Sequence, residues 1–130
     1  MEPATKGEVL DTDVLQPLSG KPSNGNGLHT NQRTLKKWVH CTGTGIHSGK
    51  RVHMTIHPAP VNHGIKFLRT DRPDRPMIGA HFRNVVDTSL ATVIGQDGFI
   101  LSTIEHLMAS FYGMGIDNAL VEVDSHEIPI

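Results

Sequence analysis

A glutamate and a histidine stand side by side at Glu105 and His106, within a stretch, residues 102–111, that has a helical pattern. A histidine in the first turn of a helix lies near the positive end of the helix dipole, which disfavours imidazolium and leaves a neutral nitrogen for a metal ion. A neighbouring carboxylate can take a proton from water bound to that metal. The pair therefore indicates one side of a hydrolytic metal site.

The same residues also have a purely structural interpretation. Ser102-x-x-Glu105 is a capping box, in which the glutamate at the third helical position reaches back to a free backbone N–H. Capping signatures are common, and an adjacent Glu-His pair is not diagnostic. Spacing alone leaves the structural and the catalytic interpretation both open.

The helix that would carry the pair has one apolar stripe, and its opposite face carries small and polar groups. Gly113 and Gly115 tolerate a left-handed backbone and are expected to end the helix. The apolar stripe follows the i, i+3, i+4, i+7 spacing of one buried face and consists of Ile104, Leu107, Met108 and Phe111. The opposite face is predicted to hold Thr103, His106, Ser110 and Gly113.

Composition limits the class of protein. The chain has 130 residues, 37% of them hydrophobic, and a formal net charge of -1, which suits one ordinary globular domain and argues against nucleic-acid binding. Cys41 is the single cysteine, so no disulfide framework is expected and a reducing, cytoplasmic location fits. No apolar run approaches the roughly 20 residues of a transmembrane helix, and no signal peptide is recognisable.

Alternating segments indicate a sheet. Residues 1–31 are rich in proline, glycine and asparagine and are predicted to be a disordered tail, followed by one domain at 32–130. Strands are predicted at residues 34–41, 52–57, 65–69 and 119–123, with a hairpin of 85–94 and 99–101 closed by Gln96-Asp97-Gly98. We predict an α+β fold: a two-layer sandwich of one mainly antiparallel sheet with the helix packed on one face.

Other candidate motifs fail on spacing. His53 and His57 lie about 13 Å apart in a strand and cannot chelate one ion. The glycine-rich segment 43–50 lacks the residues of a phosphate loop, although His47 on this constrained loop stays a candidate site residue. His106 is thus the one credible metal ligand, and a catalytic zinc needs about three from the protein.

Several separate blocks of the sequence, taken together, resemble the first half of the UDP-3-O-acyl-N-acetylglucosamine deacetylase family, zinc enzymes of lipid A biosynthesis in Gram-negative bacteria. The resemblance covers residues 32–130. The blocks are, in order, Gln32-Arg33-Thr34-Leu35-Lys36, Gly43-Thr44-Gly45-Ile46-His47-Ser48-Gly49, His57-Pro58-Ala59-Pro60, Thr103-Ile104-Glu105-His106-Leu107, Gly115-Ile116-Asp117-Asn118 and Glu127-Ile128-Pro129-Ile130.

The resemblance implies a role for each residue of the pair. It implies that Glu105 is the general base acting on zinc-bound water and that His106 is a Zn²⁺ ligand, in the hydrolysis of the acetamide of an acylated UDP-amino sugar. The family has two related α+β domains, and its other zinc ligands lie in a second, C-terminal domain that this sequence does not contain. The sequence is therefore expected to be an N-terminal fragment that binds zinc weakly and is inactive alone. Residues that bind the substrate are not predicted.

A second hypothesis belongs to another class: a non-catalytic α+β module that keeps the fold and uses the helix face to bind a protein. Both hypotheses predict the same fold. They differ in whether a second segment with the missing ligands acts together with this chain.

Overall fold

The computed structural model of the protein describes residues 15–18, 31–96 and 98–130. These ranges contain ten strands, one α-helix and a short 3-10 helix. The strands are β1 (Leu15–Leu18), β2 (Gln32–Leu35), β3 (Val39–Thr44), β4 (Arg51–Pro58), β5 (Ile65–Arg69), β6 (Met77–Gly79), β7 (Val85–Asp87), β8 (Val93–Gln96), β9 (Phe99–Ser102) and β10 (Ala119–Val123). The helix α1 spans Glu105–Met114, and the 3-10 helix spans Phe82–Asn84.

The central sheet has five strands in the order β3-β4-β10-β5-β6. All neighbours are antiparallel except β10 and β5, which are parallel. The predicted alternation of β4 is confirmed, because Val52, Met54 and Ile56 are all buried in the core. Strand β10 has the same pattern, with its first, third and fifth residues fully buried. Burial of one face therefore fixes the register of both central strands.

A three-stranded sheet, β7-β8-β9, precedes the helix. The predicted hairpin exists between β8 and β9, where Gln96 pairs with Phe99 and Gly98 has φ of 83°, while Asp97 lies outside the described residues. The first arm is shorter than predicted, because residues 88–92 are not a strand. Asp87 there accepts hydrogen bonds from the Ser89 N–H at 2.9 Å and hydroxyl at 2.6 Å, a local turn that competes with strand pairing.

The N-terminal part differs from the prediction in two places. Residues 34–41 form two strands rather than one, because β2 pairs with β1 in a separate sheet while β3 pairs with β4, and the chain bends between them. Within the predicted disordered tail, Leu15–Leu18 forms a strand through antiparallel pairing with Gln32–Leu35. The rest of that predicted tail, apart from residue 31, lies outside the described residues.

The helix packs its predicted stripe into the core. Leu107 and Phe111 are buried, Ile104 before the helix is buried, and Met108 packs against the same cluster. Gly115 ends the helix with φ of 70°, as predicted, whereas Gly113, also expected to end it, lies within the helix. The α+β class with a helix on one face of the strands is confirmed, although the strands form three sheets. Among the described residues, no helix is long and apolar enough to cross a membrane.

Candidate active site

A sharp turn connects β9 to the helix that carries Glu105. Thr103, the residue after β9, has φ of 62°, a left-handed conformation that β-branched residues rarely adopt, and its side chain is buried. Its N–H donates a hydrogen bond to the carbonyl oxygen of Thr92 at 2.9 Å. The structure thus brings Thr92 beside the helix start and sets the direction in which Glu105 leaves the backbone.

The carboxylate of Glu105 has one anchored and one free oxygen. Oε1 accepts a hydrogen bond from the Thr92 N–H at 3.0 Å. Oε2 is buried and has no hydrogen-bond partner among the described residues. Because nearly all buried polar atoms are hydrogen-bonded, a buried oxygen without a partner calls for an explanation, and such an oxygen can accept a proton.

The predicted capping box is wrong. Ser102 is the last residue of β9, where its N–H donates to the carbonyl oxygen of His126 and its own carbonyl accepts from the Ile128 N–H. The residue at the cap position is Ile104, and no side chain caps the helix. Glu105 is the first helical residue, and its Oε1 bonds to Thr92 instead of reaching back to a serine. Pairing of Ser102 across strands overrides the local capping signal.

His106 lies one residue further along α1, and its side chain is exposed. The hydroxyl of Ser110 donates to the His106 carbonyl oxygen at 3.1 Å, so both residues lie on the outer face of the helix, as predicted. Gly113 is exposed on the same helix. Thr103, predicted on this face, lies instead in the turn before the helix and is buried, because its hydroxyl bonds into the interior.

Glu105 and His106 border a cavity of about 400 Å³. Its walls come from four places in the sequence: the loop after β3, the segment before β8, the start of α1 with the turn before it, and Ile130. The rim is apolar, because Ile46, Leu90 and Ile130 are 64%, 87% and 44% exposed. The lining residues are Ile46, His47, Thr88, Ser89, Leu90, Ala91, Thr92, Thr103, Glu105, His106 and Ile130.

His47, the second candidate from the sequence, contributes to this cavity from a tight loop. Gly45 closes the loop through a hydrogen bond from its N–H to the Lys50 carbonyl oxygen at 2.9 Å and one from the Gly49 N–H to its own carbonyl at 2.9 Å. The loop is tied to the body of the protein by Glu127, whose Oε2 accepts from the His47 N–H at 2.9 Å and whose Oε1 accepts from the Ser48 N–H at 2.9 Å. The structure thus brings His47 to the same cavity as Glu105 and His106.

Glu127 is a fully buried carboxylate. Burial by itself raises the pKa of this group, but hydrogen bonds from the N–H groups of His47 and Ser48 and the hydroxyls of Ser48 and Thr103 favour the charged form. Their combined effect holds the pKa of Glu127 below its usual range. Glu127 is therefore an anion stabilised by neutral donors.

A zinc ion fits this arrangement only in part. No group of three or more His, Cys, Asp or Glu side chains in the described part of the chain could hold a metal ion. His106 offers an exposed imidazole beside a cavity that Glu105 also lines. This chain can therefore supply one imidazole ligand, and a complete site requires ligands from elsewhere.

The histidines of β4 do not form a metal site. His53 Nδ1 lies 2.9 Å from Asp124 Oδ2, and His57 Nε2 lies 3.5 Å from Glu122 Oε1, so each faces its own carboxylate on the polar face of the sheet. The alternation predicted this placement.

Three contributions to the site were missed by sequence reasoning: Thr92, Thr103 in its left-handed conformation, and Glu127. Thr92 acts through its backbone N–H, so the residue type at position 92 gives no indication of this role. Glu127 had a weak signal, since a single carboxylate followed by Ile128-Pro129-Ile130 is unexpected next to an apolar run.

Comparison with known proteins identifies the family. Residues 32–130 match the family described as UDP-3-O-acyl N-acetylglycosamine deacetylase. The chain is similar to the UDP-3-O-acyl-N-acetylglucosamine deacetylase of Chromohalobacter salexigens, with 50% identity over 99 residues, which are 76% of this chain and 33% of the relative. It is also similar to the enzyme of that name from Myxococcus xanthus, with 55% identity over 100 residues, which are 77% of this chain and 32% of the relative. The relative in Syntrophus aciditrophicus is 50% identical over 99 residues, 76% of this chain and 31% of its own.

The chain spans about a third of the length of the curated relatives it matches. The matched segment begins at β2 and contains the cavity, the Glu-His pair and Glu127. This chain belongs to the UDP-3-O-acyl N-acetylglycosamine deacetylase family.

Proposed function

We propose that this chain supplies the general base and one metal ligand of a zinc-dependent deacetylase, which removes the N-acetyl group from UDP-3-O-acyl-N-acetylglucosamine in lipid A biosynthesis. Glu105 is the base and His106 the ligand. One observation carries the proposal: Glu105 borders the same cavity as His106, and its Oε2 is buried with no hydrogen-bond partner among the described residues. The names of the relatives support the substrate.

The chemistry assigned to Glu105 is proton transfer. Oε2 accepts a proton from a water molecule as the water oxygen bonds to the carbonyl carbon of the acetamide. The bond between that carbon and the amide nitrogen then breaks, and the proton held on Oε2 passes to the leaving nitrogen. The products are a free amine and acetate.

The neighbouring groups orient this base. The Thr92 N–H holds Oε1 and so fixes the direction of Oε2. His106 points its imidazole to the exposed side of the helix, where a metal ion held jointly with ligands from outside this chain would be accessible. A zinc ion bound there would act as a Lewis acid. It would lower the pKa of its bound water and polarise the carbonyl group of the acetamide.

The remaining ligands are proposed to come from a C-terminal domain like the second domain of the family. With no group of three ligands in the described residues, His106 alone is expected to bind zinc weakly. The expected compartment is the cytoplasm.

A chimera tests the proposal. Residues 32–130 replace the matching third of the Myxococcus xanthus relative, which is 55% identical over this region. Acetate release from the acylated UDP-amino sugar, with zinc bound, is the expected result. A folded chimera that binds zinc but releases no acetate would contradict the proposal and favour a non-catalytic module. Glu105→Gln is the loss-of-base variant, and Glu122→Gln on the polar face of β10 is the matched control.

A further inference from the structure

Glu127 has no role in the proton transfer proposed for Glu105, yet it is a fully buried charge placed between two walls of the cavity. From one side it accepts the backbone N–H groups of His47 and Ser48, both at 2.9 Å. From the other side it accepts the Thr103 hydroxyl at 3.1 Å. His47 and Thr103 both line the cavity. One carboxylate therefore joins the loop after β3 to the turn that precedes Glu105.

The geometry requires a carboxylate rather than any polar side chain. The His47 N–H donates to Oε2 and the Ser48 N–H donates to Oε1. Because a backbone N–H can only donate, both side-chain atoms at these positions must be acceptors. A glutamine of the same shape presents an NH₂ group to one of these donors and loses that hydrogen bond. The loop is also packed closely on this group, since a Cβ atom on Gly45 would overlap Glu127 Oε1.

The connection to Glu105 runs through Thr103. Its left-handed backbone, with φ of 62°, is held by the hydroxyl bond to Glu127 and by the N–H bond to the Thr92 carbonyl oxygen. Thr92 in turn anchors Glu105 Oε1. A strained conformation of this kind persists only where the surroundings impose it. Loss of the Glu127 carboxylate is expected to loosen both the His47 loop and the placement of Glu105.

We infer that Glu127 is a positioning residue for the proposed deacetylation, because its carboxylate holds the His47 loop and Thr103 in place around Glu105. The inference rests on the proposed function for its effect on rate. Whether Glu127 holds the His47 loop and the Thr103 turn in place can be measured without an activity assay.

The first experiment uses the 130-residue chain and measures amide hydrogen exchange by NMR. Glu127→Gln is expected to speed exchange at the His47 and Ser48 amides at least tenfold and to shift the amide resonances of Thr103 and Glu105. Glu122→Gln, the matched control, is expected to change none of these four. Unchanged signals at Thr103 and Glu105 in a folded Glu127→Gln protein would overturn the inference, because the carboxylate would then fix the loop alone.

The second experiment uses the active chimera. Glu127→Gln is expected to lower kcat by about 10- to 100-fold with KM and zinc content little changed, since small displacements of a catalytic group cost rate rather than affinity. If the fall in activity is fully explained by a smaller fraction of folded protein, Glu127 has only a structural role and the positioning role is refuted. If Glu127→Gln does not fold, Thr103→Val removes the hydroxyl that bonds to Glu127, and the same comparison of kcat with KM tests the inference.

The two experiments separate the possible failures. A chimera with no activity refutes the proposed function and leaves the positioning of the cavity walls to the exchange measurement. An active chimera whose kcat is unchanged by Glu127→Gln and by Thr103→Val refutes the positioning role of Glu127 but not the proposed function.

Discussion

The backbone N–H of Thr92 donates a hydrogen bond to Glu105 Oε1 at 3.0 Å. This contact joins the segment before β8 to the first residue of α1, and it leaves Oε2 as the buried oxygen without a partner in the described part of the chain. The orientation of the candidate base thus depends on a main-chain group, which is independent of the side chain at position 92.

The first prediction concerns Glu105 in the chimera. Glu105→Gln is expected to lower kcat by about 10²- to 10⁴-fold, because an amide cannot accept the proton while its oxygen can still bond to the Thr92 N–H. Thermal unfolding should therefore stay close to that of the unsubstituted chimera. Steady-state kinetics and a melting curve check both parts. Retention of full kcat in a folded, zinc-loaded Glu105→Gln chimera would exclude Glu105 as the base.

The second prediction concerns the 130-residue chain alone. We expect weak zinc binding and no measurable deacetylase activity, because the described residues contain no group of three ligands. Equilibrium dialysis should show that His106→Ala removes the remaining affinity, whereas His53→Ala, at a histidine paired with Asp124, does not. Turnover by the purified chain that disappears in Glu105→Ala would overturn this prediction.

The third prediction concerns the hydroxyl of Thr103. Thr103→Val keeps the shape of the side chain but removes a donor from the buried Glu127 carboxylate, which is expected to lower the free energy of unfolding by about 1–3 kcal/mol. Thr103→Ser keeps the hydroxyl and should be destabilised less. Urea denaturation of the two variants gives the comparison, and equal stability of Val and wild-type proteins would mean that the bond contributes nothing.

The fourth prediction concerns acid stability. Burial opposes the charged form of Glu127, but its hydrogen bonds outweigh burial and the pKa lies below the ordinary value of 4.5. Because the folded pKa is below the unfolded one, this group stabilises the fold at pH values above about 4.5, and that stabilisation is lost as the pH falls through the lower, folded pKa.

The measurement is the free energy of unfolding against pH in wild type and Glu127→Gln. The wild-type curve should fall more steeply below pH of about 4.5 than the variant curve. Asp71, whose pKa is lowered mainly by its hydrogen bond from Arg69, is present in both proteins and cancels in the difference. Parallel curves would show that Glu127 has the same pKa folded and unfolded.

The fifth prediction compares two glycines. Gly45→Ala is expected to destabilise the fold by about 1–3 kcal/mol, because the added Cβ overlaps Glu127 Oε1 and the Ser48 hydroxyl. Gly113 lies in α1 with nothing within 4 Å of an added Cβ, so Gly113→Ala should stabilise by up to about 1 kcal/mol. Thermal melts of both variants test the pair, and a neutral Gly45→Ala would mean that the loop moves away from Glu127 without cost.

Local patterns in the sequence were sufficient for much of the fold. The alternation of Val52, Met54 and Ile56 and the stripe of α1 are set by neighbouring residues, so strand β4 and the helix were predictable, as was the helix end at Gly115. The pattern also placed His106 on the open face. The α+β class followed from the same periodicities.

The details of the site depend on contacts between distant residues, which local patterns do not specify. Ser102 matches a capping residue by spacing, but its pairing with the segment around Glu127 makes it the end of a strand. Thr92 and Glu127 reach the start of α1 only because the chain folds back on itself. The sequence alone determined that Glu105 and His106 stand together at the start of a helix. Only the tertiary structure decided which oxygen of Glu105 is free, because that depends on hydrogen-bond donors from separate parts of the chain.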